Sequence, residues 1–301
     1  MGERTTEPVR LEMADTIRHN CRMKTYPDGS MSIMVADRAI FREPGWELAS
    51  DREAVRERDR RAFARSMAEL WNEALDVGEL SAYACMRHED AEAQRRADSL
   101  ARAQRRAKAA VRDLARSNNF RWFVTLTLDP AKIDRYDVRE ITRRLNHWTD
   151  NHVRRDGLAY VLVPERHRLD ETGRRAIHFH GLFNDALEAV DSGHRDSGGH
   201  RIFNLPAWDL GFTTAIELYG DQQAAIAYVC KYIGKQMDAD GCPGKVGGRW
   251  YYSGGALQRP AVSFADVGPE VYDKTDSYEF GIEALGARCK IIETKEDGTV
   301  G

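Results

Sequence analysis

The period of hydrophobic and polar positions changes partway along the chain. Residues 21–35 alternate on either side of a Pro-Asp-Gly turn, which predicts a β-hairpin. From 51 to 116 the chain is rich in Ala, Arg, Glu and Leu, which predicts helix with a break at Val77-Gly78. The turn formers at 117–119 end this helical region. We therefore interpret residues 1–118 as an N-terminal accessory region, a hairpin followed by arginine-rich helices.

Beyond this region, β-branched and aromatic runs alternate with two amphipathic stretches. Strands are predicted at 121–128, 158–163, 176–183, 212–218 and 249–253, helices at 137–155 and 221–236, and a Gly/His/Asp-rich loop at 191–200. The order β-α-β-β-β-α-β is typical of an α+β fold, so we expect a central antiparallel sheet with helices on one face over residues 119–260. Residues 261–301 show little periodicity and are expected to form a loosely attached acidic tail.

The distribution of charge is more informative than its total. The 301 residues carry a net charge of −3, which is unlike that of a typical DNA-binding protein. Between Arg95 and Arg121, however, there are nine basic residues and two acids, whereas after Ala261 there are nine acids and four bases. The basic segment is compatible with a phosphate-binding surface. It is equally compatible with a solvated Ala/Arg helix, so charge alone does not assign a partner.

Composition also bears on the cellular compartment. No stretch approaches the ~20 apolar residues of a membrane span, and the polar N-terminus does not resemble a signal peptide. The five cysteines are scattered without a CxxC pair, which indicates reduced thiols rather than disulfides or a zinc site. We therefore expect a soluble, intracellular protein with no membrane partner.

The strand predicted at 176–183 carries two histidines at a spacing that suits metal binding. Residues two apart point to the same side of a strand, so His178 and His180 emerge together. Ile177 and Phe179 then face the core. Neutral imidazoles in this arrangement can bind one divalent ion. Two histidines on the wet face of a sheet would explain the pattern nearly as well.

Glu165 is a candidate third ligand because it follows the preceding strand. The strand at 158–163 should pair antiparallel with the histidine strand through the polar loop 166–175, which would put Glu165 beside the histidines. Two histidines and one carboxylate leave positions open for water and phosphate oxygens, as in catalytic sites. Mg²⁺ or Mn²⁺ suits phosphate chemistry, and the nitrogen ligands favour Mn²⁺. The alternative is a surface carboxylate paired with Arg166 or Arg168.

The helix predicted at 221–236 carries tyrosines and lysines at helical spacing. Four residues at i, i+3, i+4 and i+7 share one face: Tyr228, Lys231, Tyr232 and Lys235. The opposite face is apolar and is expected to be buried: Ala225, Ile226, Val229 and Ile233. A phenol becomes a competent nucleophile when a metal polarises a phosphate and cations stabilise the developing charge. Interfacial tyrosines beside solvent-exposed lysines are the alternative.

Three blocks of the sequence together resemble the HUH endonucleases that initiate rolling-circle replication, especially the initiators of small single-stranded DNA phages and related plasmids. Residues 123–128 resemble the family's first block, an apolar strand with threonines. Glu165 and residues 178–180 resemble the metal block. Residues 228–235 resemble the tyrosine block, with two tyrosines separated by three residues and a lysine before the second. The resemblance covers roughly 120–253 and implies an RRM-like core.

The resemblance also implies a mechanism and partners. One tyrosine, with Tyr228 preferred, attacks a scissile phosphate in single-stranded or cruciform origin DNA and leaves a 5′-phosphotyrosine and a free 3′-hydroxyl. Tyr232 would attack next and rejoin the product, or would serve as a stacking residue in a single-tyrosine enzyme. Lys231 would neutralise the phosphate near the metal. The expected DNA contacts are Lys235, Arg121, Thr125 and Thr127.

Unwinding would come from a host helicase acting with host replication proteins, in the cytoplasm of a bacterial cell. The sequence leaves the oligomeric state open.

Other functions share parts of this pattern. Conjugative relaxases use the same chemistry, but their tyrosines usually precede the histidine block, whereas here the histidines come first. Small single-tyrosine transposases share the present order but are typically shorter. A non-catalytic nucleic-acid-binding protein on the same fold would make the spacing of the histidines, the acid and the tyrosines coincidental. The pattern therefore favours a rolling-circle initiator.

Overall fold

The computed structural model describes residues 18–42, 80–171, 173–218, 222–235, 245–275, 277–282, 285–294 and 299, without the side chains of 80–92, 222–224 and 234–235. These residues fall into two compact units. The larger unit holds the described parts of segments 26–28 and 85–260, and the smaller holds those of 1–25, 29–84 and 261–301. The helix and the break predicted between 51 and 79 lie outside the described residues.

The elements are numbered in chain order. The strands are β1 (Arg18–His19), β2 (Cys21–Thr25), β3 (Met31–Ala36), β4 (Phe41–Arg42), β5 (Trp122–Leu128), β6 (Tyr160–Arg166), β7 (Ile177–Phe183), β8 (Val190–Arg195), β9 (Arg201–Asn204), β10 (Gly211–Glu217), β11 (Tyr252–Gly254), β12 (Ala261–Ala265), β13 (Glu279–Ile282) and β14 (Ala287–Thr294). The helices are α1 (Leu80–Ser117), α2 (Val138–Asp156), α3 (Gln222–Lys235) and α4 (Pro269–Lys274).

The larger unit is built on a seven-stranded sheet in the spatial order β11-β6-β7-β5-β10-β9-β8. Every neighbouring pair runs antiparallel. Because directly opposed residues of such pairs share a face, the register decides which side chains meet. The predicted α+β class with a central antiparallel sheet is thereby confirmed.

Helix α2 covers one face of this sheet. The Asp137 side chain accepts hydrogen bonds from the backbone N–H groups of Arg139 and Glu140, which satisfies two of the donors that a helix leaves free at its start. Gly157 ends the helix at φ 75°, a left-handed conformation that costs glycine little. The apolar stripe of α2 is buried against alternate residues of β5 and β7 in one core.

Helices α1 and α3 pack on the opposite face. Val111 and Leu114 of α1 share a second core with Val229 and Ile233 of α3 and with Val163 of β6. The prediction of helices on one face is therefore wrong. All residues of β7 are buried, and a strand covered on both sides reads as a nearly continuous apolar run rather than an alternating one.

The smaller unit contains a five-stranded antiparallel sheet in the order β12-β2-β3-β14-β13. The predicted hairpin at 21–35 is present as β2 and β3, with Cys21 opposite Val35. The segment after Ala261 is not a loosely attached tail, because β12 pairs with β2 and β14 with β3. Burial alternates only at Ala287 and Cys289, the first part of β14, and the four residues that follow are partly exposed, so the sequence carries little period-2 signal.

A second difference from the prediction concerns residues 191–200, expected to be a loop. They lie largely in the hairpin β8–β9, which forms an edge of the larger sheet. The side chains of β8 are mostly exposed, so the strand lacks the apolar alternation by which strands are recognised. None of the helices that the structure describes has the length and apolar character that crossing a bilayer requires.

Candidate metal centre and tyrosine helix

The register of three strands brings the candidate ligands together. Glu165 of β6 lies opposite His178 of β7, and His180 lies opposite Thr125 of β5. Residues that oppose one another share a face, so the carboxylate, both imidazoles and the threonine hydroxyl point to the side covered by α3. The sequence placed Glu165 at the end of β6 and the histidines on β7, and the structure brings all three together as expected.

The three side chains converge on a single point. His178 Nε2 lies 2.7 Å from His180 Nε2, and Glu165 Oε2 lies 2.9 Å from each nitrogen. Both histidines are buried. Together the three residues form a group that could hold a metal ion. Their donors are two imidazole nitrogens and one carboxylate oxygen, a ligand set suited to a divalent cation.

The carboxylate of this group is held in its ionised form. Burial opposes ionisation of Glu165, but hydrogen bonds to His178 and His180 and the electrostatic attraction of both rings outweigh it. The net result is a pKa of Glu165 far below the usual range of a glutamate. An ionised carboxylate is the form that binds a metal ion.

Thr125 fixes the orientation of one imidazole. Its Oγ1 lies 3.1 Å from His180 Nδ1. When Nδ1 carries the proton and donates to the hydroxyl, the lone pair is on Nε2, the nitrogen that faces Glu165 and His178. A threonine at this position is thus compatible with the tautomer that can bind a metal.

His167 is a neighbour of the group that the sequence analysis did not identify. Its ring centroid lies 4.1 Å from that of His178. Burial and the nearby His178 lower the pKa of His167, so the neutral form of its imidazole is favoured. The signal in the sequence was its position two residues after Glu165, since a continued strand would bring both side chains to one face.

Helix α3 brings its two tyrosines to the histidines in different ways. The Tyr232 ring stacks on His180 with centroids 3.9 Å apart and planes 12° apart. Tyr228 meets Tyr232 edge-on at 5.1 Å and Phe123 at 5.3 Å. Tyr232 is only 4% exposed, whereas Tyr228 is 46% exposed. The phenol at the surface therefore lies next to a buried phenol that contacts a candidate metal ligand.

The predicted stripe of tyrosines and lysines is accordingly not one open face. Ile226, Val229 and Ile233 are buried as expected, but Tyr232 is buried with them because α3 lies over the sheet at that point. Burial, followed by hydrogen bonding with Tyr228, raises the pKa of Tyr232 well above the usual range of a tyrosine. Lys231 is exposed, and the side chain of Lys235 lies outside the described residues.

The other predicted DNA contacts lie along β5. Thr127 is opposite His178 and so shares the face of the metal group. Arg121, in contrast, precedes the other end of the strand, where its Nε donates to Glu217 Oε1 at 3.0 Å. Its guanidinium also lies over the Trp122 ring, 5.1 Å from the centroid. The structure therefore brings Thr125 and Thr127, but not Arg121, to the metal group.

Phe212 is a further candidate that the sequence analysis did not single out. It lies opposite Thr127 on β10, which puts it in one cross-strand row with Thr127, His178 and Glu165. Its ring is 66% exposed, although Phe212 is paired within the sheet, one residue from the end of the β5–β10 pair. The available signal was the alternation of β10, in which Phe212 shares a face with Thr214.

Comparison with known proteins finds one family that is similar to this part of the chain. Residues 121–237 match the family model of the Replication-associated protein ORF2/G2P, from the start of β5 to the end of α3. The matched segment includes all the candidate metal ligands and both tyrosines of α3. No curated protein and no solved structure matches the chain. This segment, which is less than half of the chain, is therefore similar to the Replication-associated protein ORF2/G2P family.

Proposed function

We propose that the protein nicks and rejoins single-stranded DNA at a replication origin, and so initiates rolling-circle replication, through a tyrosine nucleophile beside a divalent metal ion. The observation that carries this proposal is the stacking of the α3 tyrosine pair on His180, within a convergent group of two imidazoles and one carboxylate. A replication-associated family supplies the biological setting. The same group on an unrelated protein would indicate only a metal site.

Glu165, His178 and His180 offer two imidazole nitrogens and one carboxylate oxygen, a donor set that suits a divalent cation and leaves coordination positions for water and phosphate oxygens. We infer that Glu165, His178 and His180 hold Mg²⁺ or Mn²⁺, which would polarise the scissile phosphate and stabilise its developing charge.

Tyr228 is the preferred nucleophile because its ring is accessible to a large substrate. Its phenolic oxygen forms a bond to phosphorus while the bond from phosphorus to the 3′-oxygen breaks. The phenol releases its proton to water, and the departing 3′-oxygen takes up a proton from water. The products are a 5′-phosphotyrosine and a free 3′-hydroxyl that primes synthesis. Lys231, exposed one turn along the helix, neutralises charge on the DNA backbone.

Tyr232 has a different part in this proposal. Its high pKa keeps the phenol protonated, and its ring stacks on the His180 ring and so limits rotation of the imidazole. It positions the metal ligand and the neighbouring Tyr228 during the first attack. A second attack by Tyr232 would require its ring to leave His180, so the structure as it stands favours Tyr228 for cleavage.

The face of the sheet next to the metal group can bind the DNA that flanks the cleaved phosphate. Neighbouring strands lie about 4.8 Å apart, so Phe212, two strands from His178, lies about 10 Å away along the row. An exposed aromatic ring at that distance can stack on a base near the cleaved phosphate. Thr127, between them, offers a hydroxyl to the backbone. Host replication proteins, including a helicase, would act on the opened origin.

The test is the formation of a covalent adduct. Full-length protein is incubated with candidate single-stranded origin oligonucleotides and Mn²⁺ or Mg²⁺, and the trapped peptide is identified by mass spectrometry. We expect metal-dependent attachment at Tyr228, abolished by Tyr228→Phe and by His178→Ala. Tyr278→Phe is the matched control, because Tyr278 is 82% exposed and lies in the other unit.

Two results would contradict the proposal. If the wild-type protein forms no adduct with any candidate origin, the proposed nuclease function is contradicted. An adduct that still forms in the His178→Ala variant would contradict the proposed role of the metal ion. Attachment at both tyrosines would instead establish alternating attack, and would show that Tyr232 leaves His180 during the reaction.

A further inference from the structure

A groove of about 470 Å³ lies along α2, on the side of the sheet opposite the metal group. The helix contributes Arg143, Arg144 and Arg155, together with His147 and His152, and the segment before β10 contributes Asp209. Three guanidinium groups thus face one carboxylate, in a protein whose net charge is −3. The groove concentrates positive charge where the chain as a whole has none in excess.

Among the residues whose contacts the structure describes, Arg143, Arg144 and Arg155 neither donate a hydrogen bond nor form an ion pair. Arg121, by comparison, pairs with Glu217, and Arg174 pairs with Asp134. Unpaired guanidinium groups that share one groove are suited to a polyanion, because they lose no protein contact when they bind it.

The floor of the groove is formed by Trp148, which contacts the segment before β10. Trp148 donates a hydrogen bond from Nε1 to the Ala207 carbonyl at 2.7 Å, and its ring meets Trp208 edge-on at 5.1 Å. Trp148 is buried, so its indole is not available for stacking on a base, and the exposed ring in the lining is the imidazole of His147. Single-stranded DNA is usually bound by a positive groove together with several stacking rings, whereas a duplex is bound largely through its phosphates. The chemistry of the groove therefore matches the backbone of a duplex.

We propose that this groove binds the phosphate backbone of double-stranded DNA beside the nicked strand. This inference rests on the proposed function for its biological role, but binding of a duplex by the groove does not require the cleavage reaction. Twelve residues of helix extend about 18 Å, so Arg143 and Arg155 reach phosphates several nucleotides apart. Because α2 and α3 cover opposite faces of the sheet, the duplex and the cleaved strand would occupy separate surfaces of one unit.

The experiment measures binding of a blunt duplex oligonucleotide over a series of salt concentrations by fluorescence anisotropy. The test protein carries Arg143→Gln, Arg144→Gln and Arg155→Gln. The matched control carries Arg38→Gln, Arg139→Gln and Arg201→Gln, which removes the same charge from arginines outside the groove. A third protein with lysine at the three groove positions keeps the charge.

Each lost phosphate contact lowers the slope of log K against log salt by about 0.9, so the glutamine triple should lose about 2 to 3 units of slope. We expect at least tenfold weaker duplex binding at about 0.1 M salt, with a smaller change in the control and recovery in the lysine protein. Thermal melting checks that all proteins are folded. Adduct formation on a short single-stranded oligonucleotide should not change.

A slope equal to that of the control would overturn the proposal. Equal losses of duplex and single-strand affinity would overturn the assignment to duplex DNA. Failure of the proposed cleavage gives a different result, since no protein would then form an adduct while the difference in duplex binding would remain.

Discussion

At the scale of single residues, the hydroxyl of Thr125 is expected to control metal affinity. Thr125→Val keeps the shape of the side chain but removes the hydrogen bond to His180 Nδ1. His180 would lose the hydrogen-bonding partner of its Nδ1, and loss of such a partner typically lowers metal affinity about 10- to 100-fold. Isothermal titration calorimetry with Mn²⁺ measures the change in metal affinity.

Thr214→Val provides the control for this substitution. Thr214 lies opposite Thr125 on the next strand but has no described contact with a histidine. Metal affinity should not change in this variant, and Thr125→Ser should retain most of it. Unchanged affinity in Thr125→Val would show that the hydroxyl does not orient His180.

The exposed ring of Phe212 gives a prediction about DNA rather than metal. Phe212→Ala should weaken binding of single-stranded DNA by about 1 to 3 kcal/mol, because base stacking on an aromatic ring contributes that much. Phe212→Trp should preserve binding. Val262→Ala, at an exposed apolar position of the other unit, is the control for anisotropy measurements. If the Phe212→Ala and Val262→Ala variants bind single-stranded DNA equally well, the Phe212 ring does not contact the DNA.

The residues of the candidate site differ in how far the sequence could locate them. Glu165 could be placed beside His178 because a short polar loop joins two apolar strands and leaves one antiparallel pairing. His167 and Phe212 were missed because each belongs to the site only through its register with neighbouring strands. Register depends on which strands pair, and a strand's own sequence does not contain that information.

At the scale of elements, the sequence indicated each helix of the larger unit but not which faces they would cover. The periodicity of α3 separates an apolar face from a polar one, yet Tyr232 is buried with the apolar face. A phenol is amphipathic, so its sequence position is compatible with either environment. Only the packing of α3 over β7 decides that Tyr232 stacks on His180.

The N-terminus of α2 gives a prediction at this scale. Asp137→Ala removes acceptors for the N–H groups of Arg139 and Glu140 and should lower the free energy of unfolding by about 1 kcal/mol. Asp137→Asn should restore most of the loss. Urea denaturation measures both, with the exposed mid-helix substitution Asp150→Ala as the control. Equal stability of the two alanine variants would show that the cap contributes nothing.

At the scale of the whole molecule, the two units give different predictions for removal of residues 261–301. Strand β2 would lose its partner β12, and β3 would lose β14, which leaves a two-stranded hairpin that is marginally stable in water. Hydrogen exchange at residues 21–36 should therefore accelerate strongly. The metal ligands and both α3 tyrosines belong to the other unit, so the shortened protein should still form the adduct with DNA. As a control, truncation after Thr294 retains every described strand and should leave exchange at 21–36 unchanged. If residues 21–36 stay protected in the protein that lacks 261–301, the strand pairing is contradicted. If that protein no longer forms the adduct with DNA, residues after 260 contribute to cleavage.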